Sequence, residues 1–222
     1  QSPDNAPFKP EWVKMHHYDY ERINGQNCLT RMIDDEKKII PVDIYCGVDP
    51  ASSLSARADF FVVATIAVDN DNNKYIVDIY RNRISPAEQP QILIDKYKKF
   101  RPRRMKVETV GYQEALRVAV RDLMREENLY IPGLESGVRP RNSKSERLLS
   151  LVPMFARKQF HFRPEDIDAQ QEFLSYPKGK HDDVMDAVWT ALDGHKPCRL
   201  KSYDPENEEK SFSKKILDWM TM

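Results

Sequence analysis

The chain has 222 residues, 40% of them hydrophobic, and its 35 lysines and arginines balance 35 aspartates and glutamates. That length holds one substantial core with extensions, and the absence of net charge leaves any attraction to a polyanion to local patches. Three cysteines, Cys28, Cys46 and Cys198, with no C-x-x-C spacing, argue against a disulfide framework or a structural zinc site and fit a reducing compartment.

Residues 1–42 are polar, start at Gln1 without an initiator methionine, and carry aromatic anchors at Phe8, Trp12, Tyr18 and Tyr20. They read as an irregular linker or arm leaning on a neighbouring surface, in a chain excised from something longer. Residues 43–195 are expected to form the main domain. Ile44 to Asp49 reads as a strand, with Ile44, Cys46 and Val48 on one face and Tyr45, Gly47 and Asp49 on the other. Pro50 stops it, so Asp49 sits at its C-terminal end.

After a Ser-rich turn, Phe60 to Val68 is a nearly continuous apolar strand. It is the longest apolar run, far below the roughly 18 to 20 residues that span a bilayer, and no charged-then-apolar leader precedes it. A soluble, unsecreted protein with no membrane partner is expected. Asp69 to Asn73 is a turn of residues that tolerate left-handed backbone, and Tyr75 to Tyr80 returns antiparallel. Pro86 to Phe100 predicts a helix with Ile92, Leu93, Tyr97 and Phe100 inward, and Met105 to Thr109 a short strand ending in Glu108.

A helix over Gln113 to Glu126 leads to a strand near Tyr130 and Ile131, then to a basic loop through Arg139 and Arg141. The next predicted helix, Ser143 to Arg157, opens with a capping box of Ser143 and Glu146. A strand at Gln159 to Phe162, a helix near Glu165 to Ser175 and a helix over Asp182 to Asp193 complete the core. Residues 196–222 form a tail, polar until the apolar cluster Ile216 to Met220, which is expected to pack back rather than dock a partner.

The segment His181-Asp182-Asp183-Val184-Met185-Asp186-Ala187 opens the last helix with three carboxylates. At 100° per residue Asp182, Asp183 and Asp186 share an arc of about 100°, and Val184, Met185, Ala187, Val188, Trp189, Ala191 and Leu192 fill the rest. Acids are favoured at a helix N-terminus as caps. Three on one edge of a buried helix also bring like charges together near a core, which cations relieve. The segment alone leaves cap and metal site open.

Asp49 and Glu108 tilt the balance, since both end inner strands, whose C-terminal ends open into the crevice where ligands bind in such sheets. If the last helix packs on the sheet, its acids reach the same crevice. Oxygen-only ligation suits Mg²⁺ or Mn²⁺, and two such ions bridged by one carboxylate support phosphodiester hydrolysis.

Gly47-Val48-Asp49-Pro50-Ala51, Val107-Glu108-Thr109 and Lys180-His181-Asp182-Asp183-Val184-Met185-Asp186-Ala187 resemble the three acidic motifs of the nuclease domain of large terminase subunits from tailed phages. The resemblance covers about residues 44–194, and Phe8 to Trp12 is similar to the segment joining such a nuclease to its upstream ATPase. It implies an α/β, ribonuclease-H-like fold, a mixed central sheet flanked by helices. It implies an endonuclease that uses two Mg²⁺ or Mn²⁺ ions to cut concatemeric double-stranded viral DNA during packaging in the host cytoplasm. Its implied partners are that ATPase domain, the small terminase subunit and the capsid portal. No G-x-x-x-x-G-K-[ST] occurs, so this chain alone is not expected to bind ATP through a Walker loop.

By the family pattern Asp49 bridges two metals, Glu108 completes one site and an acid of the last motif the other, in the order Asp183, Asp186, Asp182. Asp59 reads as a turn cap or an approach to Asp49, and His181 as a cap or a group that orients water. Lys144 and Arg147 read equally as a solvated helix face or a phosphate grip, while Arg139, Arg141, Lys178 and Lys180 flank the crevice as phosphate contacts. A resolvase-like nuclease for four-way junctions and a catalytically silent module binding DNA or portal are the alternatives. An actin-like phosphotransferase needs glycine-rich phosphate loops, and Pro50 to Ser55 in a chain with seven glycines argues against it.

Overall fold

The computed structural model of the chain describes residues 6–50, 60–108, 113–134 and 142–203. The stretch expected to be an irregular arm carries four strands, β1 (Lys14–Met15), β2 (Asp19–Ile23), β3 (Gln26–Ile33) and β4 (Glu36–Pro41). β2, β3 and β4 make an antiparallel three-stranded sheet, with Asp19 opposite Thr30 and Cys28 opposite Pro41. Its two hairpins turn at Asn24-Gly25 and Asp34-Asp35, all at positive φ. Two-residue loops of that conformation match the right-handed twist of the strands they join, and Asn, Asp and Gly reach it at least cost. The aromatic anchors do lean inward: Phe8 is buried 5.0 Å from the ring of Phe155 and 5.4 Å from that of Phe173. The Tyr18 hydroxyl donates to the Ile76 carbonyl at 2.9 Å.

The main sheet is built on the expected meander, β5 (Asp43–Asp49), β6 (Phe61–Val68) and β7 (Lys74–Asn82), antiparallel throughout. Every residue of β6 is buried because helices cover both faces. The turn before β7 places Asn72 at φ 63°, and Asp69 accepts from the backbone N–H of Asn73 at 2.8 Å. Helix α1 (Gln89–Phe100) leads to β8 (Arg104–Val107), which pairs parallel to β5, and α2 (Gln113–Glu126) follows. No strand forms at Tyr130 and Ile131. Pro132 lacks a ladder N–H and Gly133 turns at φ 86°, so Ile131 is buried in a turn whose Pro132 carbonyl accepts from Met105 N–H at 2.8 Å.

The helix expected over residues 143–157 is two, α3 (Lys144–Leu149) and α4 (Val152–Ala156). Pro153 offers no N–H and its ring collides with the preceding turn, so the first helix ends ahead of it. The capping box is present, with Ser143 N–H bonded to Glu146 Oε2 at 2.8 Å and Glu146 N–H to Ser143 Oγ at 3.3 Å. β9 (Phe160–Phe162), α5 (Ile167–Ser175) and α6 (Asp183–Leu192) close the domain, and the six-stranded sheet runs β1-β9-β7-β6-β5-β8.

Alternation along β5 decides what each face meets. Ile44, Cys46 and Val48 join Leu93 and Ile94 of α1 and Leu116 and Val120 of α2 in one core. Tyr45 points into a second core with Phe155, Phe173, Val184 and Val188. Gly47 lies on this second face, and there α6 rests on the strand. Asp49, two residues on, is turned toward α6 by the same alternation.

Candidate metal centre

Two parallel neighbours bring the first two acids together. Val48 of β5 is in register with Val107 of β8, so Asp49 and Glu108 follow at the same edge, and Glu108 N–H approaches the Val48 carbonyl at 3.5 Å. α6 lies over this edge with Asp183 and Asp186 buried, 6% and 3% exposed. Asp182 stays at the rim, its side chain 35% exposed.

The three aspartates are not the helix cap. Asp182 occupies the cap position without a side-chain cap bond. Instead Glu172, from α5, accepts the backbone N–H groups of Val184 at 2.7 Å and Met185 at 3.1 Å through Oε1. At the other end, Lys106 Nζ donates to the Asp193 carbonyl at 2.9 Å and Arg104 Nη1 to that of Gly194 at 3.1 Å, cations against the negative end of the helix dipole. Other residues thus satisfy both ends of α6, and its acids are left for another purpose.

Their mutual repulsion is visible at Asp49. Burial raises its carboxyl well above the ordinary range, and Asp186, Asp183 and Glu108 raise it further, in that order, with Lys144 opposing them. Burial likewise raises Asp186, against the pull of Lys144 and Arg147. Four carboxylates from two strands and one helix therefore feel one another, and Asp186 acts on Asp49 more strongly than Asp183 does.

Cations hold the group together. Lys144 Nζ lies 2.8 Å from Asp182 and 2.6 Å from Asp186. Arg147 reaches Glu108 at 3.2 Å and Asp186 at 3.7 Å, with its guanidinium 4.9 Å from the Trp189 ring centre. Arg81 forks between Glu172 at 3.1 Å and Asp183 at 3.4 Å, above Phe60 at 4.3 Å, and Arg83 stands 4.0 Å from the same ring. His181 Nδ1 is 3.6 Å from Asp183.

Of the residues singled out from sequence, Asp49, Glu108, Asp182, Asp183, Asp186, Lys144, Arg147 and His181 share this neighbourhood. Arg147 differs from the expected solvated face or phosphate grip. It is 7% exposed and turned onto the acids, because its neighbour Leu148 is buried and carries that side of α3 inward. Lys178 and Lys180 are exposed, and Lys180 lines a cleft of about 500 Å³ with Arg81, Glu172, Ser175 and His181. Asp59, Arg139 and Arg141 lie outside the described residues, as does the apolar cluster at 216–220. Arg81 and Glu172 were not anticipated. Both act across long sequence separations and leave no local signal.

The donor set is all oxygen, which fits a hard divalent cation such as Mg²⁺ or Mn²⁺. Asp186 Oδ1, fully buried, has no hydrogen-bond donor among the described residues. Among the described residues no three His, Cys, Asp or Glu side chains converge closely enough to ligate one ion. Lys144 and Arg147 draw the carboxylates toward themselves, so binding a cation requires side-chain adjustment.

A family model described as the terminase RNaseH-like domain matches residues 46–193. Among solved structures, the large terminase nuclease from thermophilic phage G20c with bound cobalt is 18% identical, with a TM-score of 0.57 over 86% of this chain and 98% of that one. Its form with bound magnesium is 16% identical, TM-score 0.55, over 88% and 98%. The Thermus phage P74-26 large terminase nuclease domain is 15% identical, TM-score 0.52, over 90% and 100%. No curated protein matches the chain. The mixed sheet with helices on both faces is thus the ribonuclease-H-like arrangement of these nucleases. Strands β1 to β4 precede the matched segment.

Proposed function

The chain belongs to the terminase RNaseH-like domain family, and from that premise we propose that it is a metal-dependent endonuclease that cuts concatemeric double-stranded viral DNA during genome packaging. The observation that carries this reading is that Asp186, Asp183 and Glu108 all bear electrostatically on the buried Asp49, while Glu172 separately supplies the helix cap. Buried like charges are costly, and a polyvalent cation is the simplest compensation. The related G20c nuclease is known with bound magnesium and cobalt, which supports a divalent ion here.

Asp49 would serve both of two Mg²⁺ or Mn²⁺ ions, with Glu108 on one side and Asp183 or Asp186 on the other. Bound there, the cations supply Lewis-acid stabilisation of charge developing on the phosphodiester. The chain's own groups do the remaining work. Arg81 keeps Asp183 aimed inward, and Arg147 bridges Glu108 and Asp186 and offsets their mutual repulsion. His181, beside Asp183, orients the attacking water or a phosphate oxygen. Lys178 and Lys180, together with Arg139 and Arg141, contact phosphates and so confer affinity without sequence preference. An ATPase domain of the same polypeptide, the small terminase subunit and the capsid portal are the partners, in the host cytoplasm.

Incubating supercoiled plasmid with the chain tests the proposal. Nicked and linear products are expected with Mn²⁺ and not with EDTA. Cleavage undiminished in Asp49→Asn would overturn it.

A further inference from the structure

The acid cluster comes with cations of its own. Five carboxylates, Asp49, Glu108, Asp182, Asp183 and Asp186, meet at one end of the sheet, and Arg81, Lys144 and Arg147 pair with them. Two of the three cations are fixed. Arg147 is buried and laid over Trp189, and Arg81 is held by Glu172 at one fork and by the Phe60 ring below. Lys144 differs from both. Its side chain is 48% exposed, it opens α3, and its ammonium bridges Asp182 and Asp186, one turn apart on α6. It is a point charge on a flexible stem, with no planar fork to lock it in place.

We infer that Lys144 is a built-in counter-ion, competing with the divalent metal for Asp186 and releasing that carboxylate when a DNA phosphate draws the ammonium outward. This rests on the metal-nuclease reading above. With no metal present, the ammonium is the nearer of the two cations that compensate the buried Asp186, at 2.6 Å against 3.7 Å for Arg147. Once a divalent ion occupies the cluster, the same ammonium becomes a like charge a few ångströms away and weakens metal binding. A phosphate at the rim gives it another partner at little cost, because half of the side chain already faces solvent. Since the coupling is reciprocal, DNA raises metal affinity and metal raises DNA affinity by the same factor. The site would then fill where there is something to cut. Arg147 stays on Glu108 throughout, so only one side chain has to move.

Isothermal titration of the full chain with Mn²⁺, alone and with a short duplex made uncleavable by phosphorothioate linkages, tests this. Without DNA, Lys144→Met is expected to bind Mn²⁺ on the order of tenfold more tightly than wild type. The duplex should tighten Mn²⁺ binding to wild type several-fold and to Lys144→Met far less. Lys144→Arg keeps the charge and should bind Mn²⁺ no more tightly than wild type does, which separates loss of charge from loss of fold. Mn²⁺ affinity in Lys144→Met equal to or below wild type overturns the inference, as does a Lys144→Arg that matches Lys144→Met. If wild type and variants alike take up no Mn²⁺, the nuclease reading falls and this inference falls with it.

Discussion

Gly47 and Ala187 meet backbone to backbone, so that a Cβ on Gly47 would lie 2.0 Å from the Ala187 carbonyl oxygen. Gly47 is two residues before Asp49 and Ala187 directly follows Asp186, so this contact sets how closely the two acids approach. A Cβ would also stand 2.2 Å from Ala191 N. Neither backbone atom can move without displacing the helix. Gly47→Ala is therefore expected to cost about 3 kcal/mol or more, seen as a lowered denaturant midpoint or insoluble expression. A variant of wild-type stability would show that α6 does not need the glycine.

Glu172 caps α6 across the gap between two helices. Glu172→Ala removes the acceptor for two backbone donors and one anchor of Arg81, an expected loss of about 2 kcal/mol, with faster hydrogen exchange in the first turn of α6. Burial holds the Glu172 carboxyl up at about 7, against the pull of the two N–H groups and Arg81. A carboxyl raised in the fold contributes stability that is full below its ordinary value of 4.5 and is lost as pH rises through 7. Glu172→Gln keeps the acceptor and cannot ionise. It should match wild type near pH 4.5 and gain on it by pH 8, and a constant difference across that range would contradict this account.

Asp49 is held against three other carboxylates, so neutralising it relieves strain while removing the proposed shared metal ligand. In EDTA, Asp49→Asn should melt a few degrees above wild type, for a gain of about 1 kcal/mol. Mn²⁺ should raise the melting temperature of wild type and leave the variant unmoved. An equal Mn²⁺ shift in both proteins would place the ion elsewhere.

His161, in β9, is stacked on Tyr75 at 4.5 Å with His16 beyond, and among the described residues neither of its ring nitrogens has a hydrogen-bond partner. Burial lowers it from 6.5 to about 3, helped by His16, Arg31 and Lys14. The unfolded chain takes up this proton below pH 6.5 and the folded chain does not, so the contribution is full above 6.5 and is lost on acidification. His161→Phe should remove that loss, gaining on wild type by up to about 1.4 kcal/mol per pH unit below 6.5. Urea midpoints at pH 7 and pH 5 measure it, and parallel profiles would refute it.

The strand-end positions of Asp49 and Glu108 were legible because strand alternation and Pro50 are local features. Ser143 and Glu146 were legible because both partners of a capping box lie within four residues. The Asn24-Gly25 hairpin carried its own turn signal, yet polar neighbours without a clean alternation hid the strands around it. Glu172 and Arg81 left no trace, since α5 caps α6 and a β7 side chain anchors Asp183 only after the chain has folded. The one-turn spacing of Lys144 and Asp182 from their partners was readable. That α3 turns its basic edge onto the acids depends on how α3 packs against α6.

The most direct test of the central claim is anomalous diffraction at the manganese edge from crystals grown with Mn²⁺. Two peaks about 4 Å apart are expected on either side of the Asp49 carboxylate, one also touching Glu108 and the other Asp183 or Asp186. Crystals saturated with Mn²⁺ that show no peak at Asp49 would contradict it.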